Sequence, residues 1–264
     1  MSTAKIKMEK INKVFKTKRQ TIVALSDIDI EVNENEFIAI VGPSGCGKST
    51  IVRIINDIIK PTSGNIYIDG KQFGKKVPRE VVRKMGFIFQ QPNLLPWLTV
   101  RGNIELPLKI FGEYDNKSRE QADKLIEMMG LKEYQNAYPS ELSGGMTQRV
   151  GVLRAMIHSP EILLMDEPFG ALDEKLREQM DIKLLEIWER LHQTIVFITH
   201  NIVEAVLLAS TIYVMITNPG RIVEKIDIDF PYPRDLDILI DPKFIAYTNT
   251  IVSLIGELRL KEIK

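Results

Sequence analysis

Apolar and polar positions alternate twice near the start of the chain, over residues 6–11 and 28–32. A two-residue period predicts strands with one buried face. Asn33-Glu34-Asn35-Glu36 predicts a turn. The unbroken apolar run Phe37-Ile38-Ala39-Ile40-Val41 predicts a strand buried on both faces. Ile51, Val52, Ile54 and Ile55 follow at helical spacing, and Lys60-Pro61-Thr62-Ser63-Gly64 stops that helix. Residues 65–69 read as a strand closed by Asp69-Gly70, and residues 85–89 as another buried strand.

The pattern then changes. Residues 92–157 carry helical periodicity and little strand. Ser118 is the expected cap of a helix running to Gly130, with Ala122, Leu125, Ile126 and Met129 on one face. A second helix is expected after Gly145, with Val150, Val152, Leu153 and Met156. This stretch reads as a helical subdomain inserted into a sheet domain. Strands return at 162–165, 195–198, 212–216 and 221–226, with helices at 176–191 and 202–209 between them. Strand alternating with helix predicts a parallel, doubly wound sheet. From Pro231 onward one helix is expected. Its stripe of Phe244, Tyr247, Ile251, Leu254 and Leu258 would pack on the chain's own domain.

Composition narrows the picture only slightly. The 264 residues suffice for one large α/β domain or two small ones, and 44% hydrophobic with 27% charged residues is ordinary for a globular chain. Lys+Arg and Asp+Glu are both 35. That balance gives no support to a nucleic-acid partner, which a basic excess would signal. The N-terminal ten residues lack a signal core. The longest apolar stretch, about 205–216, is too short for a bilayer. The chain is therefore expected to be soluble, or held at a membrane only by a partner. The sole cysteine, Cys46, excludes an intramolecular disulfide and fits a reducing cytosol.

Chemistry enters at Gly42-Pro43-Ser44-Gly45-Cys46-Gly47-Lys48-Ser49-Thr50, a complete P-loop between strand and helix. Triphosphate concentrates negative charge. Backbone N–H groups of a glycine-rich turn converge on it, and the following helix adds its positive end. Gly42, Gly45 and Gly47 permit the turn. Lys48 can reach the β- and γ-phosphates, and the Ser49 hydroxyl can ligate Mg²⁺. Bulky alkylation of Cys46 would then block ATP, and ATP would protect the thiol. Ile162-Leu163-Leu164-Met165-Asp166-Glu167 is an apolar run ending in two acids. Beside a P-loop strand, Asp166 would hold Mg²⁺ and Glu167 would be the general base for an attacking water. Leu142-Ser143-Gly144-Gly145-Met146 is a second glycine-rich loop opening a helix. It could bind phosphate, or be an ordinary N-terminus capped by Ser143 or Thr147.

That pentapeptide with Thr147-Gln148-Arg149 resembles the signature motif of ATP-binding-cassette (ABC) ATPases. So do Gln90, Asp166-Glu167-Pro168, Gly170-Ala171-Leu172-Asp173 and Thr199-His200, in this order. The resemblance runs from the first strand to about Ile226. It implies an α/β fold: a P-loop NTPase (RecA-like) core with a mostly parallel sheet, an N-terminal antiparallel β-subdomain and an inserted helical subdomain. It implies an ATPase domain over 1–230, the helical insertion at about 92–157, and a helical tail over 231–264. By position, Phe15 matches the aromatic residue that stacks on adenine, although it could equally be core. Gln90 matches the loop glutamine that touches Mg²⁺ and the attacking water. Ser143, Gly144 and Gly145 match the loop that contacts the γ-phosphate held by another subunit. Asp173 matches the aspartate that couples the two sites of a dimer, and His200 the switch histidine at the γ-phosphate. The implied catalytic set is Glu167, His200, Gln90 and Lys48. ATP would join two copies, and hydrolysis would release them.

Gln91-Pro92-Asn93-Leu94-Leu95-Pro96-Trp97-Leu98-Thr99-Val100 resembles the matching segment of nitrate/sulfonate/taurine importer ATPases. Met146, Glu204-Ala205-Val206 and Asn218-Pro219-Gly220-Arg221 resemble that group too. Trp97 would either receive a permease helix or pack in its own subdomain. Asn35, Asn56-Asp57, Leu153 and Asn201 depart from the usual pattern without removing a chemical group from the site. The resemblance thus implies the ATP-hydrolysing subunit of an importer for a small solute. It would sit on the cytoplasmic face of the membrane, under a permease fed by an extracellular solute-binding protein. A soluble cassette acting on ribosomes or DNA is the alternative. An exporter subunit fits the segment after Leu94 and the single-domain length less well.

Overall fold

A computed structural model describes residues 4–18, 20–73, 77–170 and 172–262. Ala171 of the resemblance and the side chain of Leu258 lie outside the described residues. The first hairpin is β1 (Ile6–Lys16) and β2 (Thr21–Val32), longer than the alternation suggests. Register shifts between Met8 and Val14 break the two-residue period, and Lys10 has a positive φ of 47°, so the pattern fades although pairing continues. β3 (Phe37–Val41) leads into α1 (Lys48–Ile55). β4 (Ser63–Ile68) and the three-residue β5 (Lys71–Phe73) complete an antiparallel sheet of order β2-β1-β4-β5.

A single helical turn, α2 (Arg79–Val82), precedes β6 (Met85–Ile88). Three helices follow: α3 (Val100–Phe111), α4 (Asn116–Met128) and α5 (Gly144–Met156). Thr99 caps α3, whose pattern is blurred by an internal Pro107 and by buried Asn103 and Glu105. Ser118 is not the cap of α4. Asp115 caps it, and Ser118 stands at the third helical position of a capping box, its hydroxyl accepting from the Asp115 N–H at 2.8 Å. Ser143, one of the two caps the sequence offers, caps α5, so the helix starts at Gly144 rather than after Gly145.

β7 (Ile162–Asp166), α6 (Glu174–Leu191), β8 (Thr194–Thr199), α7 (Ile202–Leu208), β9 (Thr211–Ile216) and β10 (Arg221–Asp227) follow. The second sheet has the order β10-β9-β3-β8-β7-β6, parallel except for the edge strand β10. The tail is not one helix. An irregular arm and a 3₁₀ segment (Leu236–Ile240) precede α8 (Pro242–Glu262). Phe244 and Ile251 are buried, and Tyr247 and Leu254 pack against the same core. α8 lies on α7 and β9.

Two apolar clusters flank the parallel sheet. One joins it to the antiparallel sheet through Ile6, Met8, Leu25, Ile38, Ile40 and α1. The other packs its opposite face against α5 to α8. Five consecutive buried residues in each of β3 and β7 give both faces of the sheet something to bury.

Candidate nucleotide site

Strand register assembles the site. Val41 of β3 pairs with Thr199 of β8, Asp166 of β7 pairs with Ile198, and Ile88 of β6 pairs with Met165. The four strands therefore end level, and the loops leaving their carboxyl ends meet in one crevice. Those loops carry Gly42 to Gly47, His200, Glu167 and Gln90.

Backbone crowding shapes the first loop. Gly47 has φ 100°, and a Cβ there would lie 2.6 Å from Leu25 Cδ2. A Cβ on Gly42 would lie 2.5 Å from the Met215 carbonyl oxygen. Pro43 and Cys46 close a turn through the Cys46 N–H at 3.4 Å, and the Thr50 N–H donates to Gly47 at 2.9 Å. Ser44 and Gly45 are exposed at its tip. No side chain caps α1, so its first N–H groups remain directed at the loop. Lys48 Nζ donates to the carbonyls of Gly42 (2.8 Å) and Pro43 (3.1 Å) and stands 4.0 Å from Glu167 Oε1.

The Cys46 thiol points away. It is 1% exposed and belongs to the cluster between the sheets, and burial pushes its pKa up. Cys46 can therefore serve phosphate only through its backbone. The expectation that its thiol reacts beside bound ATP is corrected: a buried, protonated thiol is inert.

Ser49 Oγ donates to Asp166 Oδ1 at 2.6 Å, and Arg53 Nη2 lies 3.7 Å from Asp166 Oδ2. Burial pushes the Asp166 carboxyl above its ordinary range, opposed by Ser49 and Arg53. Glu167 adopts φ 46°, a left-handed conformation uncommon for a glutamate and frequent at functional sites. Its Oε2 accepts from Gln90 Nε2 at 3.3 Å and lies 3.1 Å from His200 Nδ1. Lys48, Ser49, Gln90, Asp166, Glu167 and His200 thus form one connected cluster.

The remaining candidates stand apart. Ser143 Oγ accepts from the Met146 N–H at 3.3 Å at the start of α5, and Gly145 packs on Leu172 and Leu176. Asp173 caps α6, accepting from the Leu176 N–H at 3.0 Å. Among the described residues, no hydrogen bond or ion pair joins Ser143, Gly144, Gly145 or Asp173 to the cluster. Phe15 is 39% exposed on β1 with Lys13 Nζ 4.9 Å from its ring centroid, so it is not a core residue. Trp97 is 69% exposed and does not pack in its own subdomain.

Two supporting residues escape motif reading. Buried Gln148 donates to the Pro168 carbonyl, tying α5 to the loop after Glu167. Arg177 donates to the carbonyls of Leu172 (2.9 Å) and Phe169 (3.4 Å), fixing the segment that leads to Asp173. Gln148 stood inside the quoted signature, whereas Arg177 carried no signal beyond helical spacing.

A P-loop on the central strand, with paired acids two strands along, defines a nucleotide-binding cassette with an α/β P-loop fold. The ABC transporter family profile matches residues 25–170. The chain is 41% identical over 261 residues to an uncharacterised ABC transporter ATP-binding protein, MJ0412, from Methanocaldococcus jannaschii, covering 98% of this chain and 94% of that one. It is 41% identical over 252 residues to the nitrate import ATP-binding protein NrtD of Synechocystis, covering 93% and 92%. A solved dimeric post-hydrolysis structure of the cassette MJ0796, bound to ADP and Pi, superposes with a TM-score of 0.75 at 34% identity, over 86% of this chain and all of that one. The chain belongs to the ABC transporter family. It binds ATP and is an ATPase.

Proposed function

We propose that this chain is the ATP-hydrolysing subunit of an importer for a small solute of the nitrate or sulfonate kind, working as a homodimer under a membrane permease. The observation that carries the chemistry is the convergence of Gln90 and His200 on Glu167. A carboxylate oriented from two sides is suited to take a proton from water at the γ-phosphate. Gln90 orients that water, and His200 donates to the transferred phosphoryl group. Lys48 and the N–H groups from Gly42 to Thr50 neutralise and hold the phosphates. Phe15 offers an exposed ring for the adenine.

The donor set at Ser49 and Asp166 fits Mg²⁺. An oxygen pair 2.6 Å apart, with a buried carboxylate only partly compensated by Arg53, suits a hard cation that keeps most of its water and phosphate ligands. Gln90 would join them from the loop that leaves β6. When bound, the ion would neutralise charge developing on the phosphate oxygens. The Ser143 to Gly145 loop and Asp173 stand outside the cluster, which supports their action across a dimer. NrtD's name supports the importer reading and the cargo class. Exposed Trp97, and a groove of about 750 Å³ lined in part by Ile58, Val82, Ile110 and Phe111, support docking of a permease segment. A solute-binding protein would act through that permease.

Glu167→Gln should retain ATP yet lose turnover by about 100-fold or more. Captured from native membranes with ATP, it should bring a multi-span membrane protein with it. Normal turnover would remove Glu167 as base. Recovery of ribosomes or DNA without a membrane protein would overturn the importer reading.

A further inference from the structure

Behind His200, two carboxyl groups face each other in the core. Asp181 of α6 is 3% exposed and Glu204 of α7 is 4% exposed. Both border a small cavity of about 190 Å³ between α6, α7 and the tail. The Thr199 hydroxyl donates to Glu204 Oε2. Among the described residues, no donor reaches Asp181 Oδ1. Two ionised carboxylates this deep would repel each other and lose hydration together. A proton between them removes both difficulties, because protonated Asp181 donates to Glu204.

The surroundings neutralise the pair only in part: Arg177 borders the same cavity, and its charge opposes the rise that burial imposes on both carboxyls. Its Nε and Nη2 donate to the carbonyls of Phe169 and Leu172 rather than to either carboxyl. Glu174 and Glu178 add negative charge from α6, and the 3₁₀ segment contributes only Leu236 and Leu239. His200, in the loop before α7, lies near Glu204 while its Nδ1 stands against Glu167.

We propose that Asp181 and Glu204 are a positioning pair for the switch loop: one shared proton ties α6 to α7 and sets where His200 stands against Glu167. Asp173 caps α6 and α7 begins just after His200, so the pair joins the segment proposed to face a second copy to the histidine at the phosphate. Burial and the neighbouring Glu204 push Asp181 up to about 9, so the link persists through neutral pH.

The inference rests on the assignment of Glu167 and His200 to hydrolysis, which His200→Ala tests separately. ATPase rates of the full chain would be measured from pH 6 to 10 for wild type, Asp181→Ala, Asp181→Asn and His200→Ala. Asp181→Ala should lower kcat about tenfold with KM for ATP within about twofold, and Asp181→Asn should restore kcat at pH 7. Above pH 9 wild type should lose rate while Asp181→Asn holds it. Asp181→Asn should also melt higher than wild type by at least ~3 °C at pH 9, and by less at pH 6. Unchanged kcat in Asp181→Ala, equal changes in kcat and KM, or coincident pH profiles of wild type and Asp181→Asn would overturn the positioning role. If His200→Ala retains full rate, the assignment beneath it fails instead.

Discussion

At the scale of single residues, spacing in the chain reveals the groups that the fold gathers at the strand ends, but not the directions of their side chains. Lys48, Ser49, Asp166 and Glu167 were legible because phosphate chemistry demands those types at those distances from a strand. Cys46 sits among them in sequence, yet its thiol faces the opposite way. Maleimide should therefore label native protein slowly, with and without ATP, and label it fully only after denaturation. Rapid labelling that ATP suppresses would contradict the burial. His158 shows a second kind of invisibility. It is half-buried, packs edge-on against Phe111 at 5.3 Å, and burial of its ring pushes its pKa down. A group held neutral in the fold but charged when unfolded costs stability as pH falls through its ordinary value near 6.5. His158→Leu should thus lose less melting temperature than wild type between pH 7 and pH 5; an identical fall would show that His158 is not a source of acid sensitivity.

At the scale of elements, the central strands were legible because burial on both faces leaves continuous apolar runs. The first hairpin was legible only in part, since its bulges shift the side-chain period while its backbone pairing persists. Helix ends misled where a polar residue had two possible positions, as with Ser118 in the first turn of α4. The tail misled more. Phe244, Tyr247, Ile251 and Leu254 suggest a helix, but nothing local announces that Arg234 folds back as the cap of another one. Its Nη1 donates to Val206, Leu207 and Ala209, its Nη2 to Phe230, and its guanidinium carbon lies 4.0 Å from the Tyr232 ring centroid. Tyr232 adds a bond to the Leu208 carbonyl at 2.8 Å. Arg234→Met keeps bulk but leaves several buried carbonyls without donors. It should cost about 3 kcal/mol in urea unfolding. A loss below about 0.5 kcal/mol would mean that water replaces the guanidinium without penalty.

At the scale of the whole molecule, the proposed function divides a phosphate site into two halves that one chain holds apart. The cluster around Glu167 lies at the strand ends, while Ser143 and its glycines open α5 elsewhere. That separation leaves no motif of its own in a linear sequence; only the resemblance to cassette ATPases brings the two together. Mixing should reveal it. Ser143→Arg and Glu167→Gln chains, each nearly inactive, should regain about a quarter of the wild-type rate when mixed equally, because half the dimers would then be mixed and each would hold one intact composite site. No recovery, in mixtures shown to exchange subunits, would place the Ser143 loop outside hydrolysis.

The fold-back at Arg234 also decides where the protein tolerates handling. A fluorophore or affinity handle joined beyond the exposed Glu257 leaves the guanidinium seated under α7. A fusion that replaces the chain from Pro233 onward takes that seat away, and the helix it loosens is the one that starts beside His200. Reporters at those two places, a short walk apart along the chain, would therefore describe different enzymes.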